Sequence, residues 1–599
     1  MSSDISSSTL TNLDIGSSTK AQKVSHWQLV RSHALISDAV LNYEYNGSGT
    51  EADPYHVQFL RDDPRDPMNF PQWKKWVLTL LVAFATLAVA FVSSAYTGGV
   101  NQIITDLHTN DEVVVLGVSL FVLGFAIGPL LWAPMSELYG RQILFFGTYG
   151  VLTAFNAGAA GAQNIQTLVV LRFLAGAFGS SPLTNAGGVI ADMFSASQRG
   201  LAMSVFAAAP FMGPTLGPIA GGFLGETEGW RWVEGLMAIL SGVLWIIGSL
   251  TIPETYAPVL LKNRAAALSK ITGKVYRSKI EVERGRQTLV QSLKIALSRP
   301  WILLFKEPIV LLLSIYMAII YGTLYMMFAA FPIVFQQERG WSQGIGGLAF
   351  LGVAVGMIFA VIYTIPDNGR YRRIENQYVA KGEIGAPPEA RLPPALIGSV
   401  GIPIGLFIFA WTNRPSIHWI VCIIFTAPFG FGMVLVFLPI MNYLIDAYTI
   451  YAASVLAANS VLRSLFGTAF PLFTTYMYRN LGIHWASTIP AFLALACVPF
   501  PFLFYHYGAT IRRKCKFARE AAEALEQLKR KEPDRRASVA VTGGDNESID
   551  PEKEQVEKTG PTLQPEGVEA AQTDTNIRED PEKEDKRIGP ERDIEKANI

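Results

Sequence analysis

A series of twelve apolar runs limits the fold of this chain more than any other feature of its sequence. Each run is close to the roughly 20 residues that an α-helix needs to cross the hydrocarbon core of a bilayer. Only 16% of the residues are charged, against about 25% in soluble domains, so the composition is that of a membrane protein. We therefore predict an all-α integral membrane protein with twelve transmembrane helices. The predicted spans are 76–96, 113–133, 142–162, 166–190, 201–224, 232–252, 309–335, 345–365, 394–411, 417–444, 453–477 and 485–507.

The charges between the runs predict the orientation of the chain. Residues 253–308 form a long amphipathic interruption that holds eleven Lys/Arg against four Asp/Glu, a net charge of +7. By the positive-inside rule this loop is cytoplasmic, and an even number of spans then places both termini in the cytoplasm. The predicted division is a largely disordered N-terminal region at 1–75, a six-helix bundle at 76–252, the central loop at 253–308, a second six-helix bundle at 309–507 and a charged, mostly disordered tail at 508–599.

The two terminal regions carry few structural signals. The Ser/Thr-rich stretch Met1 to Lys20 has no apolar core, so we expect no cleavable signal peptide and expect the first apolar helix to direct insertion. At the other end, 512–531 is predicted to form an amphipathic surface helix. Further along, Arg535-Arg536-Ala537-Ser538 resembles a site for a basophilic kinase, which makes Ser538 a candidate phosphosite; a chance match is the alternative.

Several classes of function are excluded by what the sequence lacks. It contains no G-x-x-x-x-G-K-[ST] loop, which argues against ATP hydrolysis as the energy source. The His and Cys residues do not cluster at metal-ligand spacing, and we find no nucleophile–base pattern. The formal net charge of zero argues against a nucleic-acid partner. We predict a protein that is not an enzyme and needs no cofactor or metal.

A stripe of small residues marks the fifth run. Gly213, Gly217 and Gly221 recur every four residues and therefore share one face of a helix, with Pro214 and Pro218 on a neighbouring stripe. Interior prolines are tolerated in membrane helices, and a glycine face lets a second helix approach backbone to backbone. Generic small-residue packing and a kinked, leak-tight transporter seam both fit this pattern.

Two charged residues accompany the fourth run. Arg172 lies inside it, where a cation costs at least about 2.5 kcal/mol and usually faces a cavity or a partner. The alternative is an arginine that extends to the lipid headgroups. Asp192 follows twenty residues later, about 30 Å along a helix, so the two cannot pair directly. A solvated carboxylate at a helix end is the alternative for Asp192.

The turn after the second run ends in Glu137-Leu138-Tyr139-Gly140-Arg141. Gly140 supplies a tight turn, and Glu137 is predicted to accept hydrogen bonds from a helix N-terminus or a nearby arginine. A related turn, Asp367-Asn368-Gly369-Arg370, follows the eighth run and supports an internal repeat. The similarity of 171–176 to 462–467 joins runs that do not correspond in such a repeat, and we interpret it as chance.

The seventh run is rich in aromatic side chains. Tyr316, Tyr321, Tyr325 and Phe328, together with two methionines, suit a broad and adaptable apolar pocket. Packing against other helices or exposure to lipid is the alternative for each of them.

Together these motifs resemble the major facilitator superfamily and, within it, the fungal twelve-span drug:proton antiporters. The residues 213–222 resemble the antiporter motif of the fifth helix, and 171–182 resemble the superfamily's fourth-helix motif. The continuation 183–194 is similar to the fungal drug:proton antiporters. The loop 128–141 resembles the signature loop, with Glu137 where that family usually carries Asp. The resemblance covers 53–510 and implies the major facilitator fold, two six-helix bundles that rock about a central cavity.

The resemblance also implies functions for these residues. It assigns proton coupling to Arg172, and we assign Asp192 to the same process. It implies a cavity lined by the first, fourth, seventh and tenth helices. The residues expected to act in conformational change are Gly128, Glu137, Gly140, Arg141, Gly213, Pro214, Gly217, Pro218 and Gly221.

We therefore predict a monomeric exporter in the plasma membrane that exchanges protons for hydrophobic or amphipathic drugs, toxins or secondary metabolites. Its partners are the small-molecule substrate, protons and the lipid bilayer. The alternatives are an exporter of polyamines or other small cations and a membrane sensor that does not transport.

Overall fold

A computed structural model describes residues 24–285, 288–383 and 385–526 of the chain. The described residues are predominantly helical, and we number the twelve long helices in chain order. They are α1 Gln72–Ala95, α2 Asp111–Tyr139, α3 Arg141–Ala160, α4 Ile165–Met193, α5 Ala196–Thr227, α6 Trp230–Thr251, α7 Pro308–Phe331, α8 Phe350–Ala380, α9 Pro393–Thr412, α10 Ala427–Ala447, α11 452–481 and α12 483–514.

The last two helices are separated by a turn at Gly482. The helical stretch Ala452–Cys497 is interrupted there by a φ of +74° and a ψ of 162°, which lie outside the helical region. The described chain has eleven stretches long and apolar enough to span a membrane, and the last, Thr449–Lys514, contains both α11 and α12. Each predicted span thus coincides with one long helix, and the all-α membrane fold is confirmed.

Shorter elements connect or precede the long helices. The short helices are His26–Arg31, Asp38–Leu41, Val100–Asp106, Ala257–Thr272, Lys279–Arg284, Leu289–Lys306, Gln343–Gly347 and Trp419–Ile424. A π-helical turn, Pro332–Gln337, extends α7. Strands β1, Tyr55–Val57, and β2, Tyr276–Ser278, pair in parallel with Tyr55 opposite Tyr276.

The outer surface of the bundle is apolar. On α8, for example, the exposed side chains Val355, Phe359, Ile362 and Ile365 recur at helical spacing. A water-soluble protein rarely leaves such a continuous apolar stripe uncovered. This surface is the one that lipid would cover.

The long helices pack in two sets that meet at two places. In the first set α1 packs on α5, α2 on α4, and α3 on α6; in the second α7 packs on α11, and α10 on both α8 and α9. Between the sets, α2 contacts α11 and α5 contacts α8. Because all of these helices belong to one compact unit, the domain boundaries given above stay a prediction.

The described part of the N-terminal region, 24–71, is ordered, so the prediction of disorder is wrong for these residues. Asp63 forms a buried ion pair with Arg264, and Arg65 donates to the carbonyl oxygen of Glu254 at 3.0 Å. Burial lowers the pKa of Arg65 to about 10, so its guanidinium stays charged at neutral pH. The sequence pattern could not reveal this order, because these two buried contacts join residues about two hundred positions apart.

We call the end of the bundle that carries 24–71, Ala257–Thr272 and 515–526 the terminal face, and the other end the opposite face. At the terminal face, helical structure continues beyond Lys514 to Glu526, and the last part of the predicted surface helix, 527–531, lies outside the described residues. The backbone N–H of Phe517 donates to Glu307 at 2.9 Å and holds this segment against the bundle. Ser538 lies outside the described residues.

Candidate functional site

Arg172 is completely buried at the centre of the first set of helices. Its guanidinium donates to the carbonyl oxygens of Val92 at 3.0 Å and Ser93 at 3.3 Å on α1, and of Gly117 at 3.2 Å on α2. It also lies 4.4 Å from the ring centroid of Phe121. These contacts satisfy the cation inside the protein, and the alternative of an arginine that reaches the headgroups is wrong.

Glu234 of α6 is a second buried charge, and we did not identify it from the sequence. Its relative exposure is 1%, and neither carboxylate oxygen has a hydrogen-bond partner within the described ranges. It lies one helical turn from Met237, whose sulfur contacts Nη1 of Arg172 at 3.8 Å. The sequence feature that could have identified Glu234 was a lone carboxylate within the predicted span 232–252.

Ser93 connects this region to the second set of helices. Its carbonyl oxygen accepts from Arg172, while its hydroxyl shares a hydrogen bond of 2.8 Å with the hydroxyl of Tyr325 on α7. Tyr321, one turn earlier on α7, donates to Tyr325 at 3.4 Å. One residue of α1 therefore contacts both the buried arginine and the aromatic helix.

Three of the four predicted cavity residues lie together at the interface between the two sets. Tyr321, Tyr325 and Phe328 are all buried, and the rings of Tyr325 and Phe328 pack at 5.0 Å. Tyr316 is also buried, but it lies near Cys497 on α12. Exposure to lipid is therefore wrong for all four, whereas their assignment to a substrate cavity stays a prediction.

Arg463 of α11 completes the aromatic cluster. Its guanidinium lies 4.9 Å from the ring centroid of Tyr321 and 5.8 Å from that of Phe437 on α10. Phe437 in turn packs on Phe211 of α5 at 4.9 Å, across the interface. Arg463 belongs to the segment 462–467, whose similarity to 171–176 we interpreted as chance, and that interpretation stays a prediction.

The glycine stripe of α5 packs directly on α1. A methyl group built on Gly213 would lie 2.6 Å from the carbonyl oxygen of Leu87, and one on Gly217 would lie 2.7 Å from the backbone nitrogen of Ala95. Gly221 faces the carbonyl oxygen of Ala95 in the same way. These distances are too short for any side chain, so the stripe forms a backbone-to-backbone seam.

The same helix also meets the second set at the opposite face. The carbonyl oxygen of Pro218 lies so close to Gly347 that a methyl group there would be 2.5 Å away. The backbone N–H of Gly344 donates to Glu226 at 2.7 Å, also from the second set to α5. Arg479 and Asp111 form an ion pair of 2.8 Å between α11 and α2. These contacts close the opposite face between the two sets.

The turn between α2 and α3 has the predicted glycine but a different carboxylate. Gly140 has a φ of +103°, as a tight turn requires. The backbone N–H groups of Arg141 and Gln142 at the start of α3 donate to Glu254 at 3.0 and 3.1 Å. Glu137 is exposed, so the prediction that it receives these bonds is wrong. The carboxylate that accepts these bonds is Glu254, which follows α6 closely in sequence and lies against this turn in the fold.

Asp192 joins the same cluster at the terminal face. It forms an ion pair with Arg141 at 3.6 Å and accepts from the hydroxyl of Thr255 at 3.2 Å. It is therefore far from Arg172 along α4, as its spacing predicted. Gly128 of the same motif packs against Ala177 and Ser180 and brings α2 close to α4.

Comparisons with known proteins agree with this architecture. The family model described as Major Facilitator Superfamily matches residues 82–471. The MFS-type efflux pump MFS2 of Trichophyton rubrum is 68% identical over 506 residues, with 84% of each chain covered. The multidrug transporter mdrA of Aspergillus fumigatus is 62% identical over 561 residues, which cover 94% of this chain and 90% of that one.

A solved structure shows the same fold at low identity. It is the proton:xylose symporter XylE, with 16% identity and a TM-score of 0.53, covering 73% of this chain and 97% of the other. At this identity the likeness concerns the fold and carries nothing about substrate.

Proposed function

The chain belongs to the major facilitator superfamily, a family of transporters rather than enzymes, and on this premise we propose that it exports hydrophobic or amphipathic compounds in exchange for protons. The proposed substrates are drugs, toxins or secondary metabolites. Relatives named an efflux pump and a multidrug transporter support this choice. The aromatic cluster of Tyr321, Tyr325, Phe328 and Phe437 supports it as well, since aromatic surfaces accept varied apolar ligands.

The observation that carries the proposal is the contact of Ser93 with both Arg172 and Tyr325. Alternating access requires that the two sets of helices rock against each other around a central site. Such a movement would break or make the Ser93–Tyr325 hydrogen bond, and the same residue holds the guanidinium of Arg172. A movement of Arg172 would therefore shift the aromatic cluster, and a movement of the aromatic cluster would shift Arg172.

Clusters at the two faces would act as the gates. At the opposite face, opening would have to break the Gly344–Glu226 hydrogen bond and the Arg479–Asp111 ion pair. At the terminal face, Asp192 would take part in coupling by releasing or retaining Arg141. We place the terminal face in the cytoplasm because of the positive charge of 253–308, and we propose a monomer in the plasma membrane.

The test is growth and flux. Expression in a pump-deficient yeast should confer resistance to several unrelated toxicants, including the amphipathic dye rhodamine 6G. Reconstituted vesicles with an imposed pH gradient and no ATP should then move rhodamine 6G. Transport that requires ATP and ignores the gradient would contradict the proposal.

Variants of Arg172 test the coupling itself. We expect Arg172→Ala to lose gradient-driven export while purified protein still binds rhodamine 6G. Arg172→Lys should be intermediate, because a lysine lacks the planar fork that reaches several carbonyl oxygens and can lose its proton when buried. The exposed Arg513→Ala at the end of α12 is the matched control. Loss of binding together with flux in Arg172→Ala would assign the residue to substrate contact.

Export of polyamines or other small cations is the second candidate, because Glu234 is a buried carboxylate inside the bundle. The nearby guanidinium of Arg172 would repel a cationic substrate, so we favour the broader substrate range. Resistance to spermine without resistance to rhodamine 6G would reverse this order. A sensor would bind the dye without concentrating it across the membrane.

A further inference from the structure

We propose that Glu234 is the carboxylate that carries the exchanged proton. The inference rests on the proposed function, because it names the proton site of the same antiport cycle. The proton would bind Glu234 from one side of the membrane and leave to the other, once per transported substrate.

The environment of the Glu234 carboxyl group favours its protonated form. Glu234 is buried, and both of its oxygens lack a hydrogen-bond partner within the part of the chain that the structure describes. An ionised carboxylate in such a place loses its hydration without replacement, which is far more costly than burial of the neutral acid. The geometry is therefore that of the protonated form.

Arg172 is able to pair with the ionised form of Glu234. Two of its nitrogens, Nε and Nη2, donate to carbonyl oxygens of α2 and α1, whereas within the described residues the acceptor of Nη1 is the thioether sulfur of Met237 on α6. A thioether is a weak acceptor. After Glu234 loses its proton, Nη1 can exchange this contact for the carboxylate one turn away. Two arrangements are thus accessible, one neutral and unpaired, the other ionised and paired.

The charged groups around Glu234 leave Arg172 as its partner. The titratable groups facing it are Arg172 from α4 and the hydroxyl of Tyr96 after α1. Nearer the opposite face, Asp106 pairs with Arg231 and accepts from the indole N–H of Trp230, so those charges are already engaged. On α3, the uncharged Asn156 donates to Ser241, which lies two helical turns after Glu234 on α6. Trp230, one turn before Glu234, is buried as well.

The consequence reaches the aromatic cluster through α1. A guanidinium drawn toward an ionised Glu234 would weaken its bonds to the carbonyl oxygens of Val92 and Ser93. The hydroxyl of Ser93 holds Tyr325, so loss of the proton would favour movement of α7 against α1. Reprotonation would restore the arrangement seen in the structure.

This assignment also distinguishes Glu234 from Asp192. Asp192 already has an arginine and a hydroxyl as partners, which is the environment of a structural or gating ion pair. Glu234 has neither. The two are tested side by side.

The first experiment uses Glu234→Gln, which keeps the shape of the side chain but cannot titrate. Vesicles loaded with rhodamine 6G should show a loss of pH-driven export of about tenfold or more, the scale of a typical coupling free energy. Exchange of labelled for unlabelled dye, which moves no net protons, should persist. Glu228→Gln, an exposed carboxylate in the turn before α6, is the matched control and should retain both activities.

The second experiment needs no variant. Dicyclohexylcarbodiimide reacts with protonated carboxyl groups in apolar surroundings, and peptide mass spectrometry locates the adduct. In wild-type protein Glu234 should be labelled at neutral pH, with labelling that falls as the pH rises, whereas Glu228 and Asp192 should not.

Full gradient-driven export in Glu234→Gln, or absence of its adduct even in acid, would overturn the assignment. Wild-type vesicles that ignore the pH gradient would instead overturn the proposed function, whatever the labelling shows. A loss of driven export in Asp192→Asn but not in Glu234→Gln would move the proton site to Asp192.

Discussion

Substitution of Gly217 tests the seam between α1 and α5 with a displacement that the structure sets. A methyl group at this position would lie 2.7 Å from the backbone nitrogen of Ala95 and 2.8 Å from the carbonyl oxygen of Phe91, where ordinary contact begins at 3.4 Å. Once the Ser94 hydroxyl, which lies closest to the added methyl group, has rotated aside, these backbone contacts still force the helices apart by about 0.7 Å. Overpacking of this kind costs about 1–3 kcal/mol. Leucine at Gly217 requires a separation of several ångströms.

The displacement also has a functional effect, because the segment of α1 that meets Gly217 adjoins the partners of Arg172. Ser93 shares its hydrogen bond with Tyr325 at 2.8 Å, and a shift of about 0.7 Å along that line brings the contact to the limit at which hydrogen bonds form. We expect Gly217→Ala to reduce export and lower the melting temperature, and Gly217→Leu to abolish export while the protein still reaches the membrane.

The assay combines rhodamine 6G flux in vesicles with thermal unfolding in detergent and surface abundance in yeast. Gly147 on α3 is the matched control, since a methyl group there meets nothing within 4 Å and the position is exposed. Gly147→Ala and Gly147→Leu should pump normally. Normal pumping by Gly217→Leu would refute the reasoning, and equal loss in both leucine variants would show that glycine itself, and not the seam, is needed.

Three further predictions concern the terminal face. Glu254→Ala removes the acceptor for backbone N–H groups at the start of α3 and should cost about 1.5–3 kcal/mol, measured as a lower melting temperature. Asp63→Asn breaks a buried ion pair and should cost about 3–5 kcal/mol, whereas the exposed Asp62→Asn beside it should change little in the same thermal assay. Burial, together with the nearby Glu307, raises the pKa of Cys515 to about 12, so its thiol should resist N-ethylmaleimide at neutral pH until the protein is denatured; rapid labelling of the native protein would contradict this.

The parts of the fold that follow from local sequence were predictable. Apolar length placed all twelve helices, and glycine spacing identified the seam on α5, because both properties are visible in a window of some twenty residues. The small structure at the terminal face was not predictable in this way. Its strands have three residues each and pair across more than two hundred positions. Its buried ion pair joins Asp63 and Arg264, which are also about two hundred positions apart.

The site was predictable where one residue differed sharply from its surroundings. Arg172 was found because a cation in an apolar helix demands an explanation. Glu234 met the same criterion and was missed because it lies near the start of its run, where a carboxylate is easily taken for part of the turn. Glu137 was chosen over Glu254 because the sequence shows which carboxylate is adjacent to the turn, but not which one folds back onto it.

The arginines on α4 and α11 make comparable contacts, each within its own set of helices. Helices four and eleven do not correspond in a repeat of six, so the similar segments around Arg172 and Arg463 had no structural reason to match. In the structure, however, each arginine meets the first helix of its own set. Arg172 donates to α1 at Ser93, and Arg463 lies over Tyr321 of α7.

These first helices do correspond in a repeat of six, and they contact each other through Ser93 and Tyr325. The two sets therefore resemble each other in the helix that each arginine contacts, and not in the helix on which each arginine lies. A cation held against each of two touching helices makes their contact sensitive to charge on both sides. In the proposed cycle, loss of the proton from Glu234 then needs to move only Arg172 to alter the contact between Ser93 and Tyr325.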